Sequence, residues 1–192
     1  MRKVILSMQM SLDGYVEGPA GSEMNWIQDE EEQWTDIFET LQSVDACITG
    51  RVMSEGYYDY WNAVLADPNA KKDELAYARW ADKTPHYIFS QKWDTAKWKN
   101  ASILKGSIEE ETAKLKQQPG KDIIIWGGAS LASAFINSQL VDEYRLVIDP
   151  IILGGGKRLF ENVSSLQRLQ LVSEKRTKSG GIIVKYATVP AE

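Results

Sequence analysis

The stretch DIIIWGGASL, residues 122–131, decides the fold of this chain. Its three isoleucines and one tryptophan, without polar alternation, are typical of a strand covered on both faces of a parallel sheet. Gly127 and Gly128 follow at once, and a helical pattern begins directly behind them. Glycines let a ligand approach the backbone, and a helix start offers free N–H groups to a phosphate. The stretch therefore predicts a strand–helix junction, which either binds a phosphorylated ligand or is only a tight turn.

Further apolar runs of strand length occupy residues 4–6, 46–48, 87–89 and 146–148. Because parallel neighbours need long crossovers, the strands and the helical patterns between them predict an α/β fold of three layers, αβα, with a mostly parallel central sheet. Residues 168–175 and 182–189 flank a Lys-Ser-Gly-Gly turn and predict a C-terminal antiparallel hairpin. No linker or repeat is visible, so residues 1–192 are expected to form one domain. The helical stripes are Trp34, Ile37, Phe38 and Leu41; Ile108, Thr112 and Leu115; and Leu131, Ala134 and Phe135.

The charge of the chain excludes some classes of partner. Its 22 Lys and Arg against 27 Asp and Glu give a net charge of -5, which argues against broad binding to nucleic acid or to an anionic membrane. No apolar stretch approaches the roughly 20 residues that span a bilayer. The start MRKVILSMQM is a poor signal peptide, because polar residues interrupt its apolar run and no cleavage site follows. We expect a soluble, cytoplasmic protein.

Metal and disulfide chemistry is limited by composition. The chain holds one cysteine, Cys47, and one histidine, His86. An internal disulfide is therefore impossible, and a Cys/His zinc cluster cannot form within one chain, so no metal is expected. A histidine-dependent hydrolase would rely on His86 alone, and this residue begins an apolar run that is typical of a strand.

Ligands of open α/β sheets bind at the carboxyl ends of the strands, so the residues after each predicted strand are site candidates. Arg51 stands at a helix start and is either a phosphate-binding cation or a solvated surface arginine. Ser90 and Lys92 suit an adenosine 2′-phosphate, or they form a polar turn. Neither G-x-G-x-x-G nor G-x-x-x-x-G-K-[ST] occurs, which disfavours a classical dinucleotide-binding fold and a P-loop.

Several motifs in a fixed order carry a resemblance to a known family. They are SLDGYV at 11–16, MNW at 24–26, TGR at 49–51, FSQ at 89–91, WGG at 126–128 and DPIILGGG at 149–156. Together they resemble the dihydrofolate reductase-like superfamily. Within it, the chain is most similar to stand-alone relatives of the reductase domain of bacterial bifunctional riboflavin-pathway deaminase-reductases. The resemblance runs from Lys3 to about Val189.

The resemblance implies that NADPH binds across the carboxyl ends of the strands. It also implies that the protein is a homodimer. The cofactor's phosphates would meet Thr49, Gly50 and Arg51, and its adenosine end with the 2′-phosphate would meet Ser90, Gln91 and Lys92. The pyrophosphate would rest on Gly127, Gly128, Ser130 and Leu131. Tyr15 and Trp26 would lie on the substrate side of the nicotinamide.

Two carboxylates compete to support the proton transfer that accompanies hydride transfer. Asp13 stands in the glycine loop after the first strand, and Glu31 stands five residues beyond Trp26. Asp13 also suits a turn cap, and Glu31 belongs to an acidic run that suits a helix N-terminus. The expected substrate is a small heterocyclic or sugar-linked molecule, pyrimidine-like or pterin-like. The acidic run argues against folate itself, and the absence of a zinc-ligand pattern means that the deaminase half of the bifunctional enzymes is missing.

Two other classes of function remain open. In one, the same fold binds NADPH or another nucleotide as a sensor without turnover. In the other, it binds a metabolite and has lost the cofactor. Finally, the aromatic segment that contains Tyr57, Tyr58, Tyr60 and Trp61 predicts either a pocket lid or a subunit contact.

Overall fold

The computed structural model describes residues 1–20 and 24–189. The strands are β1 (Val4–Ser11), β2 (Tyr15–Glu17), β3 (Val44–Gly50), β4 (His86–Phe89), β5 (Ala101–Leu104), β6 (Asp122–Gly127), β7 (Glu143–Asp149), β8 (Lys157–Arg158), β9 (Leu169–Arg176) and β10 (Ile182–Thr188). The helices are α1 (Glu31–Leu41), α2 (Arg51–Ala66), α3 (Lys72–Lys83), α4 (Ile108–Gln117) and α5 (Ala129–Asn137).

Eight strands form one sheet in the order β5-β4-β3-β6-β1-β7-β10-β9. The pairs from β5 to β7 are all parallel, whereas β10 is antiparallel to both β7 and β9. This arrangement confirms the mostly parallel sheet and the C-terminal hairpin. Two short strands, β2 and β8, pair separately. They lie in loops that leave the carboxyl ends of β1 and β7.

The two faces of the sheet follow from the alternation of side chains along its central strands. Leu6 and Ile125 face one core, which α4 and α5 cover through Leu115 and Phe135. Ile5 and Ile124, one residue along, face the opposite core beneath α1, α2 and α3. Both faces are therefore buried, which explains the unbroken apolar runs and confirms the three-layer αβα architecture. No helix in the described part of the chain is long and apolar enough to cross a membrane.

A buried ionic cluster fixes α1 on the sheet. Asp36 is 1% exposed and pairs with Arg145 of β7 and with Lys185 of β10, whose Nζ lies 3.0 Å away. Arg145 also donates to Ser7 Oγ at 3.1 Å. Burial acts to raise the pKa of Asp36, but the attraction of Arg145 and Lys185 outweighs it and the net shift is downward. The cluster sets the position of α1 above β1, β7 and β10.

The aromatic segment of α2 belongs to the core rather than to a lid. Tyr57 and Tyr58 are buried, and the rings of Tyr57, Tyr77 and His86 lie together under α2 and α3. Tyr60, at 50% exposure, is the outward member of the segment. Burial lowers the pKa of His86 to about 4. The expectation of a pocket lid was wrong, because helical periodicity turns most of these rings inward.

Candidate functional site

The strand register brings the predicted site residues to one edge of the sheet. Gly50 lies opposite Phe89, and Thr49 lies opposite Gly127, so the carboxyl ends of β4, β3 and β6 are adjacent. On the other side of β6, β1 and β7 end together, where Ser11 lies opposite Asp149. The edge therefore has two halves. The candidate cofactor residues follow β4, β3 and β6, and the loop with Asp13 follows β1.

The two glycines at the end of β6 differ in whether the protein itself needs glycine at that position. Gly127 has φ +97°, and a Cβ there would lie 3.0 Å from the sulfur of Met8, so the protein itself needs glycine at this position. Gly128 has φ -66°, and a Cβ there would meet nothing closer than Met53 Cβ at 3.9 Å. Among the described residues, only Met53 thus comes within 4 Å of a Cβ placed at Gly128. A ligand's phosphate could approach the backbone at this point.

Two helix N-termini meet beside this space. A Cβ at Gly50, the N-cap of α2, would lie 3.8 Å from the amide nitrogen of Gly128, the N-cap of α5. Neither helix has a side-chain cap or an acidic residue in its first turn, whereas the first turns of α1, α3 and α4 all contain acidic residues. The positive dipole ends of α2 and α5 are therefore not neutralised by the chain. Such a pair fits an anionic ligand.

Two cationic residues follow the neighbouring strands β3 and β4 at the same edge of the sheet. Arg51 is the first residue of α2, and Lys92 is exposed in the loop after β4. In the part of the chain that the structure describes, neither forms an ion pair. Thr49 differs, because it is buried and its hydroxyl lies 2.8 Å from Ser54 Oγ. Its side chain shapes the turn into α2 and is not available to a ligand.

The loop after β4 is organised by its own polar side chains. Ser90 Oγ accepts hydrogen bonds from the amides of Lys92 and Trp93, at 3.2 and 3.0 Å. Gln91 donates from Nε2 to the carbonyl of Lys105 at 2.7 Å. These contacts hold the loop in a defined turn. Lys92 is exposed in this turn, and an exposed ammonium group can meet an anion.

Asp13 joins the two loops that leave β1 and β7. Its carboxylate accepts from Ser11 Oγ at 2.6 Å, from the Leu153 amide at 3.1 Å and from the Gly154 amide at 2.8 Å. The hydrogen bond from Ser11, helped by the two amides, lowers the pKa of Asp13 to about 2. An ionised carboxylate with three donors is a poor source of a proton at neutral pH. The geometry therefore favours Asp13 as the residue that positions this loop.

Tyr15 follows the same loop. It begins β2, which pairs with β8, and its hydroxyl accepts from Arg158 at 3.1 Å. The Arg158 guanidinium also lies over the Tyr15 ring, 4.8 Å from the centroid. Tyr15 is thus on the β1 side of the edge. Trp26 is half-buried in the segment before α1.

Glu31 lies at the first position of α1 and turns toward the hairpin. Its carboxylate is 3.3 Å from Lys178 Nζ, and its side chain is 80% exposed. Lys178 belongs to the turn between β9 and β10. This solvent-exposed ion pair shows no apolar enclosure of the kind that tunes a catalytic carboxyl group.

Asp149 is a buried carboxylate that was not among the predicted site residues. It ends β7, is 1% exposed, and neither carboxylate oxygen has a hydrogen-bond partner among the described residues. Burial raises its pKa; Gln9 opposes the rise and the charge of Glu30 adds to it. The only signal in the sequence was an Asp-Pro pair directly after a buried strand. That signal became informative only when the fold placed Asp149 beside Ser11.

Metal chemistry has no evident support in the described residues, since they contain no group of three or more His, Cys, Asp and Glu side chains arranged to hold an ion. The edge instead combines exposed backbone, uncapped helix starts and cations over β4, β3 and β6. The β1 and β7 half provides aromatic rings and carboxyl groups. This division suits a phosphorylated ligand on one half and a small organic molecule on the other.

The chain is similar to several known proteins in sequence and in fold. The chain is 36% identical over 191 residues to YyaP, an uncharacterized protein of Bacillus subtilis, covering 96% of this chain and 94% of that protein. Its structure resembles that of a candidate riboflavin biosynthesis protein from Shewanella sp. PV-4, with a TM-score of 0.74, 19% identity, and coverage of 98% of this chain and 99% of that one.

The dihydrofolate reductase of Enterococcus faecalis, solved with NADP(H) and RAB-propyl, also has this fold, with a TM-score of 0.61 and 13% identity, covering 98% of this chain and 97% of that one. These likenesses confirm the dihydrofolate reductase-like architecture. The model of the RibD C-terminal domain family matches residues 2–183, nearly the whole chain. The protein therefore belongs to the RibD C-terminal domain family.

Proposed function

We propose that this protein is an NADPH-dependent reductase of a small heterocyclic or sugar-linked substrate. The observation that carries the proposal is the pair of uncapped, acid-free helix N-termini beside the open space above Gly128. Membership of the RibD C-terminal domain family supports an oxidoreductase. The structural neighbour solved with NADP(H) supports a nicotinamide cofactor.

The residues of the chain fit such a cofactor in three groups. The pyrophosphate would rest on the start of α5, where Gly128 leaves room. Arg51 would pair with a phosphate from the start of α2. The adenosine end would lie on the loop after β4, with the 2′-phosphate near Lys92. The proposed cofactor residues are Thr49 (through its backbone), Gly50, Arg51, Ser90, Gln91, Lys92, Gly127, Gly128, Ser130 and Leu131.

The substrate would bind in the β1 and β7 half of the edge, between Tyr15 and Trp26. NADPH, when bound, supplies the hydride. The chain itself contributes position, because Asp13 fixes the loop after β1 to the loop after β7 and so fixes the wall of the site. Holding the acceptor carbon close to the cofactor and excluding water provides much of the rate in such a reaction. Glu31, exposed and paired with Lys178, is the weaker of the two predicted carboxylates.

We also propose that the protein acts in the cytoplasm as a homodimer. The support for a subunit contact is β9, an edge strand whose residues are all exposed, including Leu171 at 47% and Val172 at 61%. An uncovered edge with apolar side chains is a pairing surface that proteins usually protect. Light scattering after size exclusion tests this, and a mass of one chain at micromolar concentration would contradict it.

The experiment for the main proposal is a fluorescence titration with NADPH followed by an absorbance assay of NADPH oxidation. The assay panel contains a pterin, an aminopyrimidine, a benzoquinone and an aromatic aldehyde. We expect saturable NADPH binding and oxidation with at least one pyrimidine-like or pterin-like compound. Tight binding without any oxidation would favour the sensor function. Absence of NADPH binding would favour a metabolite-binding protein that has lost the cofactor.

A further inference from the structure

Asp149 has an environment that a purely structural carboxylate rarely has. Both of its oxygens are buried, and neither finds a hydrogen-bond partner among the described residues. The amide nitrogen of Gln9, on the neighbouring strand and the same face, is also buried without a partner. Buried polar groups are nearly always hydrogen-bonded, because an unpaired one loses its water and gains nothing in return.

The position of Asp149 in the fold indicates that a bound ligand could be its hydrogen-bond partner. It is the last residue of β7 and lies opposite Ser11 at the end of β1. Side chains alternate along a strand, so Asp149 shares a face with Arg145, which points to α1. The carboxyl group therefore lies on the α1 face of the sheet, where a Cβ at Gly181 would be 3.7 Å from its Oδ1, and at the edge where open α/β sheets bind their ligands.

The neighbouring charges also leave Asp149 without a cation. The cations on adjacent elements are engaged elsewhere, since Arg145 pairs with Asp36 and Lys178 pairs with Glu31 and Glu32. The charge that acts on Asp149 is the carboxylate of Glu30 at the N-cap of α1.

Glu30 accepts hydrogen bonds from the Ser179 amide at 2.8 Å and from its hydroxyl at 2.9 Å. Burial acts to raise the pKa of Glu30, but hydrogen bonds from Thr177 and Ser179 outweigh it and the net shift is downward. A second negative charge at Asp149 is thus disfavoured, and burial and the charge of Glu30 together raise the pKa of Asp149.

We propose that Asp149 is the catalytic acid of this site, hydrogen-bonding the substrate and delivering its proton as the hydride arrives. The inference rests on the proposed reductase function. The hydride of the reduced nicotinamide adds to the carbon of a substrate C=N or C=O bond. The electron pair of that bond moves to the nitrogen or oxygen, which takes the proton of Asp149. NADP⁺ and the reduced substrate leave, and the Asp149 carboxylate takes a proton from water.

Asp36 provides a matched control, because it is equally buried on the same face but is fully paired with Arg145 and Lys185. Asp149→Asn removes a carboxyl group that forms no ion pair with any described residue, whereas Asp36→Asn removes one that three cations surround. A structural role and a catalytic role therefore predict opposite changes in stability.

The expected result for Asp149→Asn is a gain of stability with a loss of turnover. Because the pKa of Asp149 is raised in the folded protein, its ionisation costs stability increasingly as the pH rises above the unfolded value. We expect the variant to melt roughly 2–4 °C above wild type at pH 8 and with no such difference near pH 4. NADPH affinity should stay within about twofold, while kcat falls at least about 100-fold, the usual scale for a general acid.

A readout independent of turnover is the infrared titration of carboxyl groups. Wild type should show one carboxyl group that titrates above the usual range of aspartate, and Asp149→Asn should lack it. Wild-type kcat should fall as the pH rises through that titration, because the protonated form is the active one. The variant should lose this pH dependence. Asp36→Asn should keep the high-pH carboxyl signal and melt at a lower temperature than wild type.

Each adverse outcome is distinct. Turnover by Asp149→Asn at the wild-type rate overturns the role of Asp149 and leaves the reductase function standing. Loss of activity with a lowered melting temperature, as for Asp36→Asn, assigns Asp149 to the structure and also overturns it. Failure of wild type to oxidise NADPH with any compound of the panel overturns both proposals, whatever the infrared titration shows.

Discussion

Gly128 and its neighbour Gly127 allow the proposed pyrophosphate site to be tested by an almost identical pair of substitutions. Gly128→Ala places a methyl group where the nearest chain atom is Met53 Cβ at 3.9 Å, and its φ of -66° is ordinary for any residue. Gly127→Ala places the same methyl group 3.0 Å from the Met8 sulfur at a φ of +97°. The first methyl group points into the proposed ligand space, and the second points into the protein.

The magnitudes follow from these surroundings. Gly128→Ala should change the free energy of unfolding by less than about 1 kcal/mol, because alanine readily adopts a φ of -66° and the added methyl group meets no close neighbour. Gly127→Ala should cost about 1–3 kcal/mol, the usual penalty for an unfavourable backbone conformation, and Met8 must also move. For NADPH, each charge-assisted hydrogen bond lost is worth about 1.5–3 kcal/mol. We therefore expect Gly128→Ala to weaken NADPH binding about 10- to 100-fold and Gly128→Val to abolish it.

The assay combines urea denaturation followed by circular dichroism with tryptophan fluorescence titration of NADPH. We expect Gly128→Ala to bind NADPH more weakly while its free energy of unfolding stays close to that of wild type. We expect Gly127→Ala to have a lower free energy of unfolding. If both Gly128 variants are folded and bind NADPH as wild type does, the junction is merely a turn and the pyrophosphate assignment is wrong.

Further predictions concern single charged groups. Arg51→Ala should weaken NADPH binding by about 1.5–3 kcal/mol in a fluorescence titration. A change limited to the melting temperature would show that Arg51 is a surface arginine that does not contact the cofactor. Lys92→Ala should weaken NADPH binding but leave NADH binding unchanged in parallel titrations, and an equal loss for both would remove the 2′-phosphate assignment. The pKa of Asp36 is lowered in the folded protein. The ionised carboxylate therefore stabilises the fold fully above the pKa that Asp36 has in the unfolded chain, and this contribution is lost as the pH falls through its pKa in the folded protein. Asp36→Asn should cost about 3–5 kcal/mol at pH 7 and much less near pH 3 in urea denaturation; a pH-independent loss would show that charge is not the cause. Asp13→Asn should lower kcat more than NADPH affinity and leave the pH profile between pH 5 and 9 unchanged, because the pKa of Asp13 is about 2; a shifted profile would restore it as the acid.

Much of the fold could be predicted because the sheet is buried on both faces. Apolar runs of strand length stand out when no polar residue interrupts them, and residues 122–127 are the clearest case. The strands that escaped prediction are short or lie in loops. β2 and β8 contain three and two residues, too few for a periodic pattern, and β5 offers only Ala101–Leu104 after a long loop.

The candidate site was partly accessible from sequence for a similar reason. In a parallel sheet all strands end at one edge, so Gly50, Ser90 and Gly128 could be grouped without knowledge of the strand order. The partners of each side chain could not be predicted, because they are distant in the chain. Asp13 bonds to Gly154, 141 positions further along the chain, and nothing in the sequence shows that Asp149 lacks a partner among the described residues. The unpaired carboxyl group is a property of the packed structure alone.

Hydrogen–deuterium exchange of the whole protein with and without NADPH tests the proposed cofactor site directly. We expect slower exchange at the first amides of α2 and α5 and in the loop after β4, which are the three places where the cofactor would contact backbone. We expect no change in the edge strand β9, which lies at the far end of the sheet from this site. Unchanged exchange at the starts of both helices under saturating NADPH, or protection limited to the β9–β10 hairpin, would show that NADPH does not bind at the proposed site.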